Sequence, residues 1–107
     1  MHAGSKTPQY CVLVTGRHRS NGLTDILSFA YDRDRQIVMS KYIRMADCFS
    51  AMIAVWMPPT DAIRSARSFE TLLMEKAHED PRLLGFEVTV TEISERAWFK
   101  FVSKVET

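Results

Sequence analysis

Residues 16–22 read Gly, Arg, His, Arg, Ser, Asn, Gly, a stretch without one apolar side chain. Two guanidinium groups (Arg17, Arg19), an imidazole (His18), a hydroxyl (Ser20) and an amide (Asn21) stand together between an apolar strand at residues 11–14 and an amphipathic helix that opens at Gly22 and Leu23. The first turn of a helix carries unpaired backbone N–H groups and the positive end of the helix dipole. A polar, basic loop leading into such a turn is a place for an anion, either a carboxylate or a phosphate. His18 could act as a general base, but no nucleophile or orienting carboxylate is spaced near it in a recognisable way.

The elements around this loop are legible from periodicity. An uninterrupted apolar run at residues 11–14 is the mark of a strand buried on both faces, which would hold the loop on a rigid scaffold. Leu23, Ile26, Leu27, Ala30 and Tyr31 share one helical face, with Thr24, Asp25 and Ser28 on the other. The charged cluster at residues 32–35 reads as a solvated turn. In residues 36–45, Ile37, Met39, Ile43 and Met45 share one strand parity. Ala46 and Asp47 then form a two-residue hairpin connection into residues 48–57, which are apolar on both parities and so interior to a sheet. Pro58 and Pro59 end that strand. Thr60 and Asp61 predict the cap of a second helix running toward Pro81, with Ala62, Ala66, Phe69, Leu73 and Ala77 as its apolar stripe. A last strand follows, in which Phe86, Val88 and Val90 alternate with polar residues.

The order strand, helix, strand, strand, helix, strand is that of a ferredoxin-like α+β sandwich, with a four-stranded antiparallel sheet and two helices on one face. Residues 10–94 form this domain, and residues 1–9 are expected to be a flexible amino terminus. Residues 95–107 fall outside the pattern, yet Trp98, Phe99, Phe101, Val102 and Val105 are too apolar for a free end. Three readings suit them: a fifth strand, a segment docked on the open face of the sheet, or the start of a further domain.

Composition narrows the function further. A chain of 107 residues with 46% hydrophobic content suits one domain that buries roughly two thirds of its unfolded surface. A net charge of +1 gives no general attraction to nucleic acid or anionic membrane. No run approaches the roughly 20 apolar residues of a membrane span, and the amino terminus lacks the apolar core of a secretory signal. Cys11 and Cys48 lie in apolar runs and read as buried, reduced thiols, which points to the cytoplasm. Neither these cysteines nor His2, His18 and His78 show metal-ligand spacing, and glycine-rich phosphate cradles are absent, so no metal or cofactor is expected. An RNA-recognition module of this fold would carry a basic-glycine-aromatic run on its third strand, and residues 48–57 carry none. Gly16 and Arg17 match a fragment of the acylphosphatase signature, without the rest of it.

With the order of elements and the first loop in hand, the chain resembles the ACT domain family, small modules that sense amino acids and regulate amino-acid metabolism. The resemblance covers about residues 10–94. It rests on Thr15 and Gly16 ending the first strand, the polar loop of residues 17–21, Gly22 and Leu23 opening the helix, Ile37 and Val38 in the second strand, and Phe49 with residues 51–55 in the third. It implies that an amino-acid carboxylate sits over the N–H groups of Gly22 and Leu23, with Asn21 or Ser20 adding hydrogen bonds and Arg17 or Arg19 adding charge. Gln36 stands where ligand-binding members often present asparagine, and His18 completes the candidate set. The plain alternatives are a helix cap for Asn21, a backbone requirement for Gly22 and solubility for the arginines.

Because members of the family pair side by side and close the ligand site at the interface, the resemblance implies a homodimer or higher homo-oligomer. The functional expectation is a non-catalytic regulatory module that binds a small amino acid and couples it to oligomeric contacts. The competing readings are a ligand-free dimerisation module and the amino-terminal regulatory part of a larger amino-acid-metabolism enzyme.

Overall fold

The computed structural model describes residues 6–17, 24–26, 28, 34–83 and 85–106. Its four strands are β1 (Tyr10–Arg17), β2 (Gln36–Met45), β3 (Cys48–Trp56) and β4 (Glu87–Glu92). They form one antiparallel sheet in the order β2-β3-β1-β4, so β1 and β3 are interior and β2 and β4 are edges among the described residues. This is the sheet of the ferredoxin-like sandwich expected from the order of elements along the chain.

Alternation along each strand sorts the side chains between two faces. Tyr10, Val12 and Val14 of β1, Phe49, Ala51, Ile53 and Val55 of β3, and Val88 and Val90 of β4 point to one face and are buried there. Ile26 from the first helical segment and Phe69, Leu73 and Ala77 from helix α1 (Ala66–Glu79) complete this core. The stripe expected for the first helix is represented by Ile26, which is fully buried; Leu23, Leu27, Ala30 and Tyr31 lie outside the described residues.

β2 departs from strict alternation. Ile37 pairs with Val55, but Met39 pairs with Ala54, so Val38 is a bulge that reverses the parity of everything after it. Ile37 therefore packs against the core, whereas Met39, Lys41 and Ile43 face the other side of the sheet, opposite Ala54, Met52 and Ser50. The single apolar stripe expected of Ile37, Met39, Ile43 and Met45 is thus split by one inserted residue.

α1 begins one turn later than Thr60 and Asp61 predict. Ser65 caps it, accepting the Ser68 N–H at 3.1 Å. Asp61 instead ties two segments together. Its carboxylate accepts the Ile63 N–H at 2.9 Å and two hydrogen bonds from Arg35, from Nε at 2.9 Å and Nη2 at 3.2 Å. The two side chains retain only 10% and 7% of their exposure, and the Arg35 guanidinium also lies over the Phe69 ring, 5.6 Å from its centroid. Far from being fully solvated, the charged turn before β2 is tied through Arg35 to the segment leading into α1. The same hydrogen bonds hold the Asp61 carboxyl below the usual carboxylate range.

The tail is a helix, α2 (Glu95–Glu106), and not a strand. Ser94 starts it by accepting the Ala97 N–H on its hydroxyl at 3.1 Å, and Trp98, Phe101 and Val102 follow at helical spacing. Trp98 is 6% exposed, and with Phe101 it faces Cys11, Met39, Met52 and Ala54. The second face of the sheet is consequently covered in part by α2, while Leu13, Ile43 and Met45 farther along it stay exposed. Among the described residues no helix is long and apolar enough to cross a membrane.

Candidate ligand site at the end of the first strand

β1 delivers the candidate loop at the end of the sheet where it pairs with the β2–β3 hairpin: Gly16 opposes Phe49 and Arg17 opposes Cys48. Beneath this end lies an aromatic cluster. Tyr42 stacks on Phe49 with centroids 5.1 Å apart, and Phe86 meets Phe49 edge to face at 5.0 Å. Gly16 is required by this packing, because a β-carbon there would stand 2.6 Å from Phe86 Cδ1 and 3.2 Å from Phe49 Cε1. The loop therefore leaves from a rigid strand end.

Arg17 is the last residue of β1 and faces Asp47 of the hairpin at 3.8 Å, with both side chains largely exposed at 85% and 73%. A surface pair of that length contributes at most a few tenths of a kcal/mol, about 0.5, so its geometry does not hold the guanidinium against a competing anion. His18, Arg19, Ser20, Asn21, Gly22 and Leu23 lie outside the described residues. Just beyond them, Asp25 is helical and receives a hydrogen bond from Arg82 Nη1 at 3.3 Å. Arg82 also grips Asp80 with contacts of 2.7 to 3.2 Å, which lowers the Asp80 carboxyl and raises the guanidinium. This ion pair links the helical segment at Asp25 to the turn at Pro81–Leu83, so Asp25, on the polar face of the periodicity, has a partner.

Gln36 does not join Arg17 within one chain. It is the exposed first residue of β2 and pairs with Trp56, whereas Arg17 pairs with Cys48. Those partners are eight residue steps apart on β3, placing the two about 26 Å apart along the sheet. The residue of β2 that stands at the Arg17 end is Met45, opposite Cys48.

Cys48 is exposed at this end of the sheet, and Cys11 is half-buried on the second face, so the two expected buried thiols are one partly covered and one open. Burial pushes the Cys11 thiol up from its ordinary value. Tyr10, at the opposite end, is likewise raised by burial and then by the nearby Glu92 and Asp61 carboxylates. Among the described residues no group of three histidine, cysteine or acidic side chains is placed to hold a metal ion.

No family model matches the chain, and no curated protein matches it in sequence. Solved structures do. An ACT domain protein from Streptococcus pneumoniae superposes with a TM-score of 0.60 at 10% identity, over 81% of this chain and 91% of that one. A protein of unknown role from Galdieria sulphuraria superposes with a TM-score of 0.61 at 16% identity, over 84% of this chain; the match spans 47% of the Galdieria protein, about half its length. At these identities the likeness is one of fold, and the fold of this chain is ACT-like.

Proposed function

We propose that the chain is a non-catalytic regulatory module that binds a small amino acid between two copies of itself. The observation that carries this reading is the placement of Arg17 and Gln36 at opposite ends of the sheet, with β2 an edge strand among the described residues. If two copies pair their β2 strands antiparallel over the full length of Gln36–Met45, Gln36 of the second copy falls beside Met45 of the first. That is the end from which the Arg17 loop leaves. Two equivalent sites result, each with a basic loop and helix start from one copy and an amide from the other.

The chemistry suits an amino acid. Its carboxylate takes the N–H groups at Gly22 and Leu23 and the charge of Arg17 or Arg19, as helix starts favour anions. Its ammonium needs an acceptor, which the Gln36 carbonyl oxygen of the second copy supplies. Occupancy then adds contacts across the interface, so binding and association reinforce each other by a shared coupling free energy. Pairing without any ligand is the second reading, favoured by Ile43 and Met45, which are 52% and 76% exposed on β2.

A panel of free amino acids tested by thermal shift, with the solution mass measured beside it, separates the two. A ligand at a hundredfold excess over its dissociation constant stabilises the protein by roughly 2.7 kcal/mol. A melting shift for one amino acid, accompanied by a dimer mass, supports the sensor. A dimer that no amino acid stabilises leaves the assembly module.

A further inference from the structure

α2 does not seat flush on the sheet: between them is a cleft of about 160 Å³. Cys11, Met39, Met52 and Ala54 form its floor, and Trp98 and Phe101 form its roof, their rings 5.7 Å apart between centroids. Ala97 also lines it and is exposed. No residue lining the cleft carries a charged side chain, and the Cys11 thiol is a weak hydrogen-bonding group. The walls expose almost no polar surface, so water in the cleft gains little from them beyond its bonds to the solvent outside. A charged solute would give up part of its hydration and meet no ion-pair partner in the walls, which disfavours an amino-acid zwitterion here. Protein interiors pack densely, and a gap between apolar walls forfeits dispersion contacts that a fitting solute restores.

We infer that this cleft is a binding site for a small, uncharged, apolar molecule of about the size of one benzene ring, the size that apolar cavities of roughly 150 Å³ accept. Met39 and Met52 suit that role, since thioether side chains adapt to irregular shapes and pack favourably against aromatic edges. The site lies on the second face of the sheet and is separate from the loop beyond Arg17, so it stands or falls independently of the amino-acid reading.

The test is methionine methyl NMR on the full chain, titrated with toluene and separately with benzoate, which has the same ring and a charge. Toluene should shift the Met39 and Met52 methyl signals saturably, while Met57 in the main core and exposed Met74 on α1 stay in place. Benzoate should shift none of them. Ala97→Leu, which replaces a methyl with an isobutyl group at an exposed lining position and so takes up cleft volume, should abolish the toluene response while the Met57 signal reports an intact core. The inference is overturned if toluene produces no saturable shift up to its solubility, if Met57 and Met74 respond as strongly, if benzoate matches toluene, or if Ala97→Leu binds toluene as the parent does.

Discussion

The Phe86 ring lies against Gly16 so closely that a β-carbon on Gly16 would meet Phe86 Cδ1 at 2.6 Å. One hydrogen at the end of β1 thus lets the aromatic cluster of Tyr42, Phe49 and Phe86 close beneath the candidate loop. Gly16→Ala should destabilise the protein by about 1 to 3 kcal/mol in denaturant unfolding, the range for overpacking. Phe86→Leu in the Gly16→Ala background should recover part of that loss. Strict additivity of the two changes would show that the ring is not what the methyl strikes.

Arg35 and Asp61 are 26 residues apart in sequence and form a nearly buried, two-bonded ion pair. Removing one partner leaves an uncompensated charge, so Arg35→Ala should cost about 3 kcal/mol, whereas replacing both residues with apolar ones should cost less. Urea midpoints of the single and double variants check this.

The pH dependence has a definite sign. Arg35 depresses the Asp61 carboxyl in the folded state, so its stabilisation is fully present above the unfolded value, about pH 4. It is lost as pH falls through the folded value below that. Asp61→Asn should flatten the loss of stability below about pH 4 relative to the parent chain. An unchanged acid limb in thermal melts would assign the effect to other carboxylates.

Ala46 is held at φ 54°, in the left-handed region, at the hairpin between β2 and β3. Ala46→Gly should stabilise by about 1 kcal/mol, while Gly85→Ala, at φ 85° with open space around it, should destabilise by a similar amount. Chemical unfolding of both variants would show whether backbone conformation alone accounts for the two signs.

Trp98 is the buried anchor of α2, and Cys11 lies beneath that helix. In a Cys48→Ser background, Trp98→Ala should speed alkylation of Cys11 several-fold, because the covering helix loses its main contact. An unaltered rate would mean that α2 stays seated by other residues.

Much of this arrangement is written in local patterns. The run at residues 48–57 is apolar on both parities because β3 is interior, and Val88 and Val90 alternate with polar residues because β4 is covered on one face. The parts not legible are those decided by distant partners. Nothing local tells that Asp61 will meet Arg35 instead of capping a helix, or that Val38 will bulge and turn Met39 away from Ile37. In the tail, Trp98, Phe101, Val102 and Val105 do stand at helical spacing, but exposed Phe99 obscures it. Of the candidate site, residue types near Arg17 and at Gln36 can be read from the chain. Their separation across the sheet cannot, because it depends on β1 and β2 running parallel on either side of β3.

That separation also supplies the most direct test. Asn21→Ala should disable the loop half of each proposed site and Gln36→Ala the edge half, so neither variant alone should bind the amino acid that stabilises the parent chain. Mixed in equal amounts and allowed to exchange, they should regain binding in calorimetric titration at about one site in four, because half the dimers are mixed and each mixed dimer holds one intact site. A mixture as inert as its two components, beside a parent chain that binds, would contradict a site shared between copies.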